Sequence, residues 1–192
     1  MKYFYLLLVS VAFLFTISCK QKRTGVPRVL VYTNAESGSD TMGAVKAIRH
    51  LGDINGFEIT ATDTSTLFTD ESLSSYSAVV FLNRSGINLN FRSRVALERF
   101  MQAGGGFAGI HPNAKTFNWR WYGRMIGSTG DSGVSFMHQS FENGRATYTQ
   151  QILNSKTVSD DAVLKDVLNA IEYAIGHFEP LDYSKATIPY PP

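Results

Sequence analysis

Cysteine is almost absent: of 192 residues a single one is cysteine, Cys19. The chain therefore has no disulfide framework, and past Cys19 it has neither a thiolate nucleophile nor a thiolate ligand for a metal. A dominant charge is missing as well, since 18 Lys and Arg face 16 Asp and Glu for a formal charge of +2. Outside KQKR at Lys20 to Arg23 there is no basic cluster, which argues against nucleic acid as a partner. The four histidines show no HxH or HExxH spacing, and no more than two of them, His111 and His138, could be brought together. A zinc site with three protein ligands thus has no candidate set. GxSxG is missing, and with it the strand-to-helix elbow of a serine nucleophile. The glycine triplet Gly104 to Gly106 precedes its strand, whereas phosphate cradles follow one and open a helix, so these glycines stop a helix. No metal and no cofactor is expected.

Long apolar runs are limited to one, Tyr3 to Ile17, interrupted only by Ser10 and Thr16 and preceded by Lys2. It is short for a permanent membrane span and suits an export signal. The run ends in TISC, which resembles the lipobox of bacterial lipoproteins, with Ser18 and Cys19 in the matching places and Thr16 where leucine is commoner. The resemblance implies a signal peptide over 1–18, a lipidated Cys19, a tether over 19–27 and a location at the bacterial cell envelope, bound to the membrane through lipid. An ordinary cleaved signal with an incidental thiol is the alternative.

What remains, 44% hydrophobic over the whole chain, is enough for one core and one domain. RVLVYT (28–33), FEITAT (57–62), AVVFLN (78–83) and GFAGI (106–110) read as strands. The unbroken apolar run in the third requires burial on both faces, as in a parallel sheet covered by helices. Between them, Ala44, Val45, Ile48 and Leu51 recur at helical spacing toward a stop near Gly52, a short helix fits Asp70 to Ser75, and Asn90 can cap a helix carrying Phe91, Val95, Leu97, Phe100 and Met101. Later, Asn118 to Gly127 suggests a short helix, ENG at Glu142 to Gly144 a hairpin turn, and Ser159 a cap for a last helix with the stripe Leu164, Val167, Leu168, Ile171 and Ile175. The alternation predicts an α/β fold: a flavodoxin-like three-layer sandwich, its mostly parallel sheet carrying helices on both faces, over residues 28–176. A proline-rich tail, 177–192, follows.

In an open parallel sheet ligands gather at the carboxyl ends of the strands, where loops diverge and helix N-termini point. That rule selects Asn34 after the first strand, Asn83, Ser85 and Gly86 after the third, and His111 and Asn113 after the fourth. His111 either ends its strand by donating to a nearby carbonyl, or acts as substrate contact, general base or metal ligand. Trp119, Trp121 and Tyr122 either stack on a sugar ring or serve as core, and aromatics at this density are more often core.

RVLVYT, AIRHLG, NGFEITATDTSTLFTDESLSSYSAVVFLN, LERFMQAGGGFAGIH, WRWYGRMIG, ENGRATYT and LKDVLNAIEYAIG are together similar to the ThuA-like family. That family is named for trehalose utilisation and shares the core of class I glutamine amidotransferases. In those relatives the strand ends in the nucleophilic cysteine of a GxCxG elbow, and GIHPN places His111 at the equivalent turn, so amidotransferase chemistry is lost. Family members usually carry Arg-His where Ser37 and Gly38 stand and Gly-His where Ile152 and Leu153 stand. They also hold a longer stretch where Ser128 to Glu142 bridges here. The resemblance implies a shortened, divergent member with a carbohydrate-related role and reduced or no catalytic activity. An active sugar-processing enzyme using His111, and a non-catalytic scaffold, are the alternatives. A second copy of the chain, docked at an apolar edge left by the shortening, is a further candidate partner.

Overall fold

The computed structural model describes residues 25–33, 38–83, 89–111, 119–126 and 136–191. Four strands come where the sequence places them: β1 Arg28–Tyr32, β2 Glu58–Thr62, β3 Ala78–Leu82 and β4 Gly106–Ile110. A hairpin follows, β5 Phe136–Phe141 and β6 Gly144–Thr149. They form one sheet in the order β2-β1-β3-β4-β6-β5. All neighbours are parallel except the hairpin partners β5 and β6. The order reverses between β1 and β3, so the topological switch point lies at their carboxyl ends. This is the flavodoxin-like arrangement, with β6 following β4 and β5 added as an antiparallel edge.

The helices are α1 Gly38–Asn55, α2 Asp70–Leu73, α3 Phe91–Gln102, α4 Arg120–Met125 and α5 Asp161–Ile175. Because successive strand residues point to opposite faces, the buried strands feed two cores of different composition. Leu30, Tyr32, Val79, Phe81 and Phe107 face α2, α3 and α4, among Phe68, Tyr76, Phe100, Trp119, Trp121 and Tyr122. Val29, Val31, Val80, Leu82 and Ile110 face α1 and α5, among Ala44, Ile48, Val167 and Ile171. One side of the sheet is aromatic and the other is aliphatic.

Helix ends follow local chemistry. Asn90 Oδ1 accepts from the Ser93 N–H at 2.9 Å, as its sequence position predicts, a cap worth about 1 kcal/mol. One expectation is corrected. Asp160, not Ser159, caps α5, its carboxylate accepting from the N–H groups of Ala162 and Val163. Starting there puts Val163, Val167, Ala170, Ile171 and Ala174 under the sheet, with Leu164 and Leu168 at the margin. Gly52 lies in the last turn of α1, near its end as expected, and the helix stops at Gly56, φ 77°. Gly52 is also where the returning chain passes: a Cβ there would press on the Phe57 carbonyl. The ENG turn forms as expected, Glu142 taking φ 54° between the paired residues Phe141 and Gly144.

The tail is docked. Gln102 Oε1 accepts from the Thr187 N–H at 2.9 Å, and its Nε2 donates to Thr187 Oγ1 at 3.2 Å. Arg99 donates to the Ile188 carbonyl and, at 2.8 Å, to Asp70 of α2. Residues 182–188 thus run as a strap across the end of α3.

Candidate functional site

At the carboxyl rim the two central strands end in the same unusual way. Asn83 follows β3 with φ 49°, and His111 follows β4 with φ 47°. Both continue the ladder through their backbone, the Asn83 N–H donating to the Ile110 carbonyl and the His111 N–H to the Thr149 carbonyl, each at 2.8 Å. The left-handed region is uncommon for residues with a Cβ, and such strain gathers at functional turns. Here it turns an amide and an imidazole off the sheet on adjacent strands.

Both side chains meet the segment after β6. Asn83 Nδ2 donates to the Leu153 carbonyl at 2.8 Å. Its Oδ1 is buried with no hydrogen-bond partner among the described residues. His111 is exposed, and its Nδ1 lies 3.2 Å from the Gln150 carbonyl. The sequence offered either a ring bonded to a nearby carbonyl or a ring available to a ligand, and the geometry shows the carbonyl contact at Nδ1, with no partner for Nε2 among the described residues.

The segment itself is fixed residue by residue. Gln151 donates to Asp166 of α5, the Ile152 carbonyl accepts from Thr157 at 2.6 Å, Leu153 is buried, and Ser155 donates to Asp40 in the first turn of α1. Asn154 Oδ1 closes a turn by accepting from Lys156 and Thr157. These contacts join the loop after β6 to α1, α5, β3 and β4.

Trp119, Trp121 and Tyr122 are not at this rim. They are built into the aromatic core, Trp119 stacked between Trp121 and Tyr122 at 5.6 and 5.3 Å, and Tyr122 against Phe81 at 5.8 Å. Their faces are occupied, so a sugar could stack on them only by displacing a neighbouring ring. The indole N–H groups are satisfied by carboxylates, Trp119 donating to Glu98 at 2.6 Å and Trp121 to Glu142 at 3.0 Å. Burial pushes the Glu98 carboxyl up, against the indole bond that pulls it down. Burial also raises the Tyr122 phenol well above its ordinary value.

His138, the one histidine that could have joined His111, is held elsewhere. It pairs with Thr147 on the outer strand β5, and its ring packs on Tyr173 at 4.0 Å. Two strand spacings and three residue rises separate it from His111, roughly 14 Å. Burial lowers its pKa. Among the described residues no group of three or more His, Cys, Asp or Glu is placed to hold a metal ion. Asn34, Ser85, Gly86 and Asn113, and likewise Cys19 with the segment 1–18, lie outside the described residues. Among the described residues no helix is long and apolar enough to cross a membrane. Sequence reasoning missed the 150–155 segment, whose contacts to Asn83 and Asp40 join residues 70 and 115 positions apart.

Comparison with known proteins agrees with the fold. A family model described as ThuA, trehalose utilisation, matches residues 28–162. A solved ThuA-like protein of Bacteroides uniformis ATCC 8492 is similar at 14% identity, covering 80% of this chain and 94% of that one, with a TM-score of 0.57. No curated protein matches.

Proposed function

Because this chain belongs to the ThuA family, we propose that it recognises a sugar or sugar derivative at the carboxyl rim of its sheet, with His111 as the polar contact and Asn83 positioning it. The observation that carries the reading is the pair of positive-φ residues, Asn83 and His111, ending adjacent central strands. A backbone held in the left-handed region at two neighbouring strand ends aims polar side chains where open α/β sheets take their ligands.

Catalytic power in this reading is low. Catalysis draws on several groups held together. Among the described residues, the partner of the His111 ring is a backbone carbonyl, with no acid or base group bonded to it. The N-terminal run and TISC support export and a lipid on Cys19, with the residues between Cys19 and β1 reaching at most about 30 Å from the membrane surface.

Thermal unfolding with a panel of disaccharides, their keto derivatives and glucosides tests the binding. A ligand at a hundredfold its Kd should raise Tm on the order of 5 to 10 °C, and His111→Asn, which tolerates the backbone angle, should abolish the rise. Turnover of any of these sugars, lost in His111→Asn, would replace the binding reading with an enzymatic one. No shift with any sugar would favour a scaffold. Radiolabelled palmitate incorporated by the wild type and not by Cys19→Ser would support the anchor.

A further inference from the structure

The contact between His111 and Gln150 carries chemical information beyond position. A backbone carbonyl only accepts hydrogen bonds, so an imidazole nitrogen facing it must carry the proton. In a neutral ring the second nitrogen is then an acceptor with its lone pair outward. Free histidine side chains favour the opposite arrangement, with the proton on Nε2. Something must hold the less favoured tautomer, and the Gln150 carbonyl can do so only if it stays in place.

It is kept in place by its neighbours. Gln151 is tied to Asp166, Ile152 to Thr157, Leu153 to Asn83 and Ser155 to Asp40. Of these ties the one from Asn83 comes from the strand beside that of His111, and Leu153, whose carbonyl it holds, is fully buried. The amide orientation is not ambiguous, because the Leu153 carbonyl requires the nitrogen on that side.

We propose that residues 150–155 form a fixed platform, pinned by Asn83, that holds His111 protonated at Nδ1 and presents Nε2 as an acceptor, so that the rim reads hydroxyl hydrogens. Asn83 is a positioning residue in this scheme. Its Oδ1 is sealed from solvent, so Asn83 acts on the ring through the Leu153 carbonyl and not by touching the ligand. An acceptor at Nε2 favours a neutral polyol over an anion, which would need the imidazolium. The choice of polyol rests on the sugar-binding reading above, whereas the tautomer does not.

The test is nuclear magnetic resonance of the protein labelled with ¹⁵N-histidine, at a pH above the titration of the ring, with His111 assigned by its loss in His111→Asn. The expected spectrum shows Nδ1 protonated and Nε2 unprotonated. In Asn83→Gly, which suits φ 49° but lacks the amide, and in Asn83→Asp, which keeps the shape but cannot donate, the His111 signals should move toward the Nε2-protonated pattern. Any sugar that binds should do so at least tenfold more weakly in both variants. A wild-type ring protonated at Nε2 would overturn the platform, and a pattern unchanged in both variants would remove Asn83 from it. A confirmed tautomer with no sugar bound would leave the platform standing and sink the ligand assignment alone.

Discussion

The two ends of the sheet are built on opposite principles. At the amino end, backbone packs directly on backbone and a guanidinium closes a helix. A Cβ on Gly106 would overlap the Ala174 carbonyl, one on Gly144 the Gly105 carbonyl, and one on Gly176 the Arg145 guanidinium. Arg145 donates to the carbonyls of Ala174 and Ile175 at 3.2 and 3.1 Å, closing the last turn of α5 where the helix dipole is negative. Burial lowers its pKa, with Glu179 opposing. The carboxyl end differs in what it does with its turns: positive φ occurs at both ends, at Glu142 in a hairpin and Phe178 after a helix on one side, but on the other it ends two adjacent central strands, Asn83 and His111, and leaves an imidazole exposed. Tight closure at one end stabilises a body that turns an imidazole out to solvent at the other.

That contrast can be broken by experiment. Gly106→Ala should have the largest effect, because the added methyl meets helix backbone and not a side chain that can turn aside. A loss above about 3 kcal/mol is expected, measured by urea unfolding, and a variant that folds normally would show that the amino end is looser than described. Arg145→Met comes next. It leaves the carbonyls of the last turn of α5 without their donor and removes a charge from the favourable end of the dipole, for about 2–3 kcal/mol. A loss below 1 kcal/mol would mean that solvent serves those carbonyls as well as the guanidinium does. Gln102→Leu should cost about 1–2 kcal/mol, since it unpairs the Thr187 N–H and frees the strap. Limited proteolysis should then cut beyond residue 181 in the variant and not in the wild type.

The sequence was legible where structure is local or periodic. AVVFL had to be buried on both faces, Asn90 had to cap α3, and ENG had to turn, because each depends on residues within one element. His111 and Asn83 were legible as rim residues from strand ends alone, and Asn is a residue that accepts the left-handed region readily. What could not be read was decided at long range. Whether Asp160 or Ser159 capped α5 depended on which start aims Val163 at the sheet. Trp119 and Trp121 had the composition of a sugar platform, but Tyr122, Phe81 and Phe141 occupy their surroundings. Arg145 gave no hint that it would cap a helix ending 30 residues later.

The smallest expected effects on stability lie at the rim, and they discriminate best. Asn83→Gly removes a hydrogen bond worth about 1 kcal/mol, but it also relieves a residue at φ 49°, and glycine adopts that angle freely. The two changes oppose each other, so unfolding free energy should move by less than about 0.5 kcal/mol in either direction. His111→Asn should behave alike, since Asn accepts φ 47° and the ring it replaces is exposed. If the rim is a ligand site, these two near-silent substitutions are the ones that should abolish or weaken the response to sugar, while Arg145→Met, far more damaging to the fold, should leave that response intact at temperatures where the variant is folded. The opposite ranking, with sugar response following stability across all the variants, would mean that the strained rim is only a way of ending two strands.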